Sequence, residues 1–272
     1  MKDIVKHIRA ELLQNANPVY RQGAQNYFKE GIVLHGVRLH VVRTISAKYY
    51  QQVKGSEKSK IFALCDRLLS YHTSEERTIA FDWAWRRRWE FQPSDFRVFE
   101  RWLKYHVNNW RGVDDLCGHT FGYFIEQFPG FLPDVFRWTR AKPWHFRRAA
   151  AVVLIYPARR GKYFGDVLKT ADALLNDEHY LVQKGYGWLL KEACRKFPGE
   201  VFDYVMKNKD RMPRTALRYA IEKMPPAQRK KAMSKSIEYL PRLRAVTLQR
   251  AGTEAPNCQS TEKNIPCSVF QW

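Results

Sequence analysis

Apolar residues recur at helical spacing along most of this chain, and the strict alternation of a half-buried strand is nearly absent. The opening segment sets the pattern: Ile4, Ile8 and Leu12 share one face of a helix whose other faces are polar. Breaks fall at Asn17-Pro18, Gly31, Gly55, Thr73-Ser74, Pro93, Gly112, Pro129-Gly130, Pro143, Pro157, Asn176, Pro198-Gly199, Pro213 and Pro225-Pro226. Thr73 followed by Glu76 reads as a capping box that starts a helix. About a dozen helices joined by short loops are predicted, which makes the chain all-α.

Three helix starts repeat one arrangement, an aromatic residue with a charge four positions later: Trp110 and Asp114, Trp144 and Arg148, Tyr180 and Lys184. Their starting points lie 34 and 36 residues apart, an interval that suits stacked helix pairs. Asp114, Arg148 and Lys184 are then expected in a row on one concave face. The segment near 143–156 is apolar almost all round, so it should be sandwiched between other helices. Arg148 falls on that helix and needs an anion there, either Asp114 or a bound phosphate. Periodicity alone reads Asp114 as a first-turn acid favoured by the helix dipole.

On the helix near 179–196, Val182, Tyr186, Leu189 and Ala193 form the apolar stripe. Lys184, Trp188, Lys191 and Arg195 fall on nearly the opposite side. An indole among cations suits stacking on a nucleic-acid sugar or base, while packing against a neighbouring repeat is the plainer alternative. Gly185 and Gly187 flank Trp188 and suggest close packing or the close approach of a ligand.

Composition narrows the partner. The chain of 272 residues carries a formal net charge of +20 and nine Trp. A basic chain rich in aromatics fits nucleic acid better than a membrane surface, although most of the Trp are expected in the core. The five cysteines are widely spaced with no CxxC, which argues against a disulfide framework and a zinc site. The eight His show no ligand spacing, and no P-loop, GxGxxG or GxSxG occurs, so no metal and no cofactor is predicted. No membrane-length apolar run is present, and the N-terminus lacks a signal core. A cytoplasmic protein is expected, nucleoid-associated if bacterial. Residues 252–272 are net −1, whereas the rest of the chain is +21. A helical domain over 1–239 and a flexible tail over 240–272 are therefore expected.

Three motifs together resemble the AlkD-like family of alkylpurine DNA glycosylases: Trp110-x-x-Val113-Asp114, Arg147-Arg148-Ala149-Ala150, and Gln183-Lys184-Gly185-Tyr186-Gly187-Trp188. Asn17-Pro18 and Tyr27 look similar too, and the likeness spans roughly residues 1–235. The resemblance implies a right-handed solenoid of HEAT-like helix pairs with DNA in the concave face. It implies a monomeric DNA repair glycosylase acting on cationic N3- or N7-alkylated purines in double-stranded DNA without base flipping. Asp114 would be the catalytic carboxylate, Trp110 and Trp188 would contact the lesion's deoxyribose, and Arg148 would hold the backbone beside it. Tyr27, Arg38, Lys184, Lys191 and Arg195 complete the expected DNA contacts. Arg111 stands where the family often has an acid, and Arg38 where some relatives have a neutral polar residue. A non-catalytic DNA-structure binder on the same scaffold and a helical-repeat adaptor are the competing readings.

Overall fold

A computed structural model describes residues 4–234 of the chain. The expected boundary at 239, the tail over 240–272, Cys258 and Cys267 lie outside the described residues. Among those described, helix is the only regular structure.

The amphipathic stripes decide how the helices stack. The order is α1 (Ile4–Gln14), α2 (Pro18–Tyr27), α3 (Leu39–Val53), α4 (Lys58–Leu69), α5 (Ser74–Arg86) and α6 (Asp95–His106). Then follow α7 (Trp110–Asp115), α8 (Gly122–Gln127), α9 (Leu132–Arg137), α10 (Trp144–Val152), α11 (Ile155–Ala158) and α12 (Phe164–Leu174). The described part closes with α13 (Tyr180–Ala193), α14 (Pro198–Asn208), α15 (Arg214–Ala220) and α16 (Pro226–Met233). In one layer each helix packs on the next: α3 on α5, α5 on α7, α7 on α10, α10 on α13 and α13 on α15. The helices α4, α9 and α12 back the members of that layer, giving a solenoid-like stack.

Ile4, Ile8 and Leu12 are buried, as their spacing predicts. On α6 the stripe is Phe96, Phe99, Trp102 and Leu103, all buried. Each such side chain contributes about 1.5–3 kcal/mol on leaving water. The Trp102 indole N–H donates to Asp66 Oδ1 at 2.6 Å, so its polar end is satisfied. Trp83, Trp102 and Trp138 fill the core, while Trp110, Trp144 and Trp188 are only partly covered. The predicted sandwich of α10 is present: Ala149 to Ile155 are buried between α7, α12 and α13. Cys65, Cys117 and Cys194 are free thiols in the interior.

Two local expectations need correction. Gly112 and Pro157 do not break helices but sit inside α7 and α11. Beyond α7 the chain runs through a π-helical turn, Leu116–Phe121, straight into α8. The capping box at Thr73 forms differently as well. Thr73 is the N-cap residue of α5, yet its side chain makes no cap bond to the backbone. Its hydroxyl donates instead to the Glu76 carboxylate, which also takes His35 Nε2 at 2.8 Å and Arg9 Nε at 3.2 Å. Glu76 is fully buried, so partners for its charge outweigh a local cap. Burial pushes its pKa up, but the bonds from His35 and Thr73 prevail and hold it below the ordinary range.

The neighbouring Glu75 straps the α2–α3 loop to the start of α5. Its carboxylate accepts the backbone N–H groups of Gly36 at 2.9 Å, Val37 at 3.0 Å and His35 at 3.2 Å. Gly36 has φ +95, and a Cβ there would stand 2.5 Å from the Asn17 carbonyl oxygen, so only glycine fits. Ahead of this strapped loop, Tyr27 and Phe28 lie against the Trp110 ring at the start of α7.

Candidate functional site

The site begins with the cap of α7. Asn109 is extended, and its Oδ1 accepts the Gly112 N–H at 3.0 Å, so the helix starts at Trp110. Trp110 and Asp114 then share a face, four residues apart. Arg77 of α5 supports the cap from below. Its guanidinium is buried and donates to Asn109 Oδ1 at 3.3 Å and to the His106 carbonyl at 3.4 Å. A Cβ at Gly112 would lie 3.1 Å from that guanidinium, so the missing side chain makes room for the cation. Burial pushes the Arg77 pKa down to about 10, against the opposing pull of Asp115. The Trp110 ring stacks on Phe28 at 5.0 Å and 10°, and the exposed Tyr27 meets it edge-on at 6.2 Å.

Asp114 lies in the second turn of α7, and the first turn contains no acid, so the helix-dipole reading fails. Its partner is Arg148 of α10. Arg148 Nε reaches Asp114 Oδ1 at 3.0 Å, Nη2 reaches Oδ2 at 2.9 Å, and Nη1 donates to the Leu181 carbonyl at 2.6 Å. Of the two anions open to Arg148, the structure holds the protein carboxylate. The Asp114 side chain is 16% exposed and that of Arg148 only 6%. Burial raises the Asp114 pKa above the ordinary carboxylate value, and Arg148 opposes the rise.

The two glycines of α13 serve close packing. A Cβ at Gly185 would stand 3.2 Å from Arg148 Cγ, and one at Gly187 would stand 2.7 Å from the Ala216 carbonyl oxygen. Gly185 therefore lets α13 sit against Arg148, and Gly187 lets α15 sit against α13. This places Trp188 one turn from the Arg148 contact. Its environment differs from the cationic strip expected. Trp188 is half-buried against the core, and its indole N–H donates to Glu192 Oε1 at 3.2 Å. Glu192 also binds Arg159 and Arg195 at 2.9 Å each. Burial would raise the Glu192 pKa, but Arg159 and Arg195 outweigh it and hold the group ionised. Lys191 pairs with Glu222 at 3.1 Å. Two of the three flanking cations are thus balanced by carboxylates that the helical wheel of one segment did not display.

The remaining candidates spread outward. Lys184 Nζ lies 5.0 Å from the centre of the Tyr180 ring, one turn earlier on α13. Arg38 is exposed at the start of α3, 5.6 Å from the Tyr20 ring. Sequence reading missed Phe28, Arg77 and Glu192. Glu192 alone carried a local signal, its i, i+4 spacing from Trp188. Phe28 and Arg77 lie far along the chain from the partners they touch.

A partly buried carboxylate one turn from an indole and held by a guanidinium can stabilise positive charge that develops near it. Residues 8–224 match the family described as DNA alkylation repair enzyme. The chain belongs to that family. The matched span of this DNA alkylation repair family member contains Trp110, Asp114, Arg148 and Trp188. Its structure is similar to that of a predicted DNA alkylation repair enzyme from Enterococcus faecalis, with a TM-score of 0.68 and 18% identity. The match covers 78% of this chain and 98% of that one, and at such identity it shows a shared fold. No curated protein matches the sequence. The family gives this member a role in repairing alkylated DNA. No helix among its described residues is long and apolar enough to cross a membrane.

Proposed function

We propose that the chain is a monofunctional DNA glycosylase that hydrolyses the N-glycosidic bond of N3- and N7-alkylated purines in double-stranded DNA. The observation that carries this reading is the Asp114 carboxylate, partly buried, oriented by Arg148 and lying one turn from Trp110 on α7. Alkylation at N3 or N7 leaves the purine cationic, so it departs with little help from an acid. Positive charge then grows on the deoxyribose. A fixed carboxylate in a poorly solvated place stabilises that charge and orients the attacking water. Arg148 occupies one lone-pair direction on each Asp114 oxygen, and a carboxylate offers about four, so about two are left for water and sugar. Trp110 and Trp188 would hold the deoxyribose, with cation–π attraction up to ~2 kcal/mol where water is excluded.

The layer of α5, α7, α10 and α13 is read as the concave face of HEAT-like repeats, with DNA lying along it. Arg148 has five N–H donors. Its bonds to Asp114 and Leu181 leave others for the backbone phosphate beside the lesion. Tyr27, Arg38, Lys184, Lys191 and Arg195 would meet the sugar-phosphate backbone further out. Catalysis from the sugar side needs no extruded base. The protein would act as a monomer wherever the DNA is, in the cytoplasm and at the nucleoid of a bacterial cell.

A second reading is a DNA-structure binder without base excision. The closed bidentate pair favours it, because Arg148 offsets much of the charge that Asp114 would offer the sugar. One assay separates the two. Duplex DNA carrying 7-methylguanine and 3-methyladenine is incubated with the protein and the free base is measured. Base release is expected from the wild type, and Asp114→Asn should abolish it while binding survives. Near wild-type release by the variant would remove Asp114 from the chemistry. Tight binding with no release by either protein would establish the second reading.

A further inference from the structure

Away from Asp114, the run Trp85-Arg86-Arg87-Arg88-Trp89 at the end of α5 forms a separate cluster of rings and cations. The Arg88 guanidinium lies between two indoles, 4.3 Å from the centre of Trp85 and 4.5 Å from that of Trp89. Tyr123 meets Trp89 edge-on at 5.5 Å and 83°. Trp89 nevertheless remains 73% exposed. With Arg88 over one face and Tyr123 at an edge, most of the indole surface is open to solvent.

Arg86 is paired with Asp82 and Arg87 with Glu90, at 2.8 Å and 2.7 Å. No carboxylate among the described residues pairs with Arg88, whose Nη1 donates only to the Trp85 carbonyl at 3.2 Å. Arg160 adds a second cation at the cluster, 3.8 Å over the Tyr156 ring and 3.7 Å from the Glu126 carboxylate, and Tyr156 packs on Trp85 at 5.9 Å.

We propose that Trp89, backed by Arg88, is a stacking platform for an unpaired DNA base, distinct from the Asp114 site. A flat ring braced on one face and open on the other has already lost the freedom that stacking would otherwise cost. Every base presents a π face, so such a platform accepts any sequence. The cations around it suit the phosphates on either side of the stacked nucleotide. Its place in the fold fits the same strand-bearing surface. Trp85 packs on His119 and Tyr156, which follow Asp114 and Arg148 along the chain by five and eight residues. At helical rise that puts His119 and Tyr156 on the order of 10 Å along the chain from Asp114 and Arg148, with Trp85 and then Trp89 further out. An acidic peptide would also find cations here but would leave the open indole without a planar partner.

Binding of the full chain to a short labelled single-stranded oligonucleotide without any lesion, followed by fluorescence anisotropy, tests the proposal. Trp89→Ala should weaken binding about tenfold, within the range for one base–aromatic stack. Trp89→Phe should recover most of that loss, and an abasic oligonucleotide should bind the wild type as weakly as the normal one binds Trp89→Ala. An unchanged thermal midpoint shows that the exposed substitution leaves the fold intact. Equal affinity of Trp89→Ala and wild type, no recovery by Trp89→Phe, or equal binding of abasic and normal strands would overturn the platform. Displacement of the oligonucleotide by polyglutamate as readily as by unlabelled DNA would overturn it in favour of a protein partner. The readout involves no excision, so a wild type that releases no alkylated base would sink the glycosylase reading alone.

Discussion

Asp114 holds its proton under two opposed influences, burial that raises the pKa and Arg148 that lowers it, and burial prevails. The direction has a kinetic consequence. If the ionised carboxylate carries base release, kcat/KM should fall on acidification through a pKa above the ordinary aspartate range. A carboxyl raised in the fold binds its proton more tightly folded than unfolded, so this titration by itself stabilises the folded state as pH falls. Loss of rate at that limb should therefore precede unfolding. Arg148→Lys, which gives up the bidentate fork, should move the limb further up. A pH–rate profile with unfolding monitored alongside checks both points, and a limb at the ordinary aspartate value would remove Asp114 as the titrating group. Asp115, raised to about 6 by its own burial, is the neighbour to control for, and Asp115→Asn should leave the limb in place. At this scale the sequence disclosed that Arg148 needs an anion, because its helix is apolar all round. Which anion it found depended on α10 lying against α7.

Among the elements, α13 shows how far a helical wheel reaches. Its apolar stripe of Val182, Tyr186, Leu189 and Ala193 is buried as drawn. The wheel also put Trp188 off the stripe, and it is indeed only half-covered. What the wheel lacked was the next helix. Glu222 comes from beyond α15 and Arg159 from the end of α11, and with Glu192 they reset the charge around Trp188. The glycine pair had two readings in sequence, close packing or ligand approach, and contact with α10 and α15 decides for packing. Gly187→Ala would press a methyl to 2.7 Å from the Ala216 carbonyl oxygen and 2.8 Å from Tyr219 Cβ. Backbone and Cβ atoms cannot swing aside, so α15 must shift. A loss of about 1–3 kcal/mol in chemical denaturation is expected. Wild-type stability in that variant would mean that α15 is free to slide on α13.

For the whole molecule, charge is the property that sequence states most directly. A net +20 makes association with DNA steeply salt-dependent, through release of counterions from phosphates. The ion pairs temper the expected slope. Lys191 and Arg195 already face Glu222 and Glu192, so replacing Lys184, Lys191 and Arg195 together by Gln should flatten the log–log slope by about one to two units, short of three. An unchanged slope would put the phosphates on another face. The sequence by itself determined the all-helical class, the buried stripes and the three motifs that carry its resemblance to the AlkD-like family. These are legible because helical periodicity and short motifs are properties of contiguous residues. Only the tertiary structure decided that Arg148 grips Asp114, that Arg77 lies buried beneath the cap of α7, that Glu76 turns from capping to ion pairing, and that Glu192 holds the Trp188 indole. Most of these contacts join residues about 30 to 40 positions apart, and the register at which one helix stacks on the next selects them. The Glu192–Trp188 bond is local in sequence, but Arg159, brought in by the same stacking, helps keep Glu192 ionised.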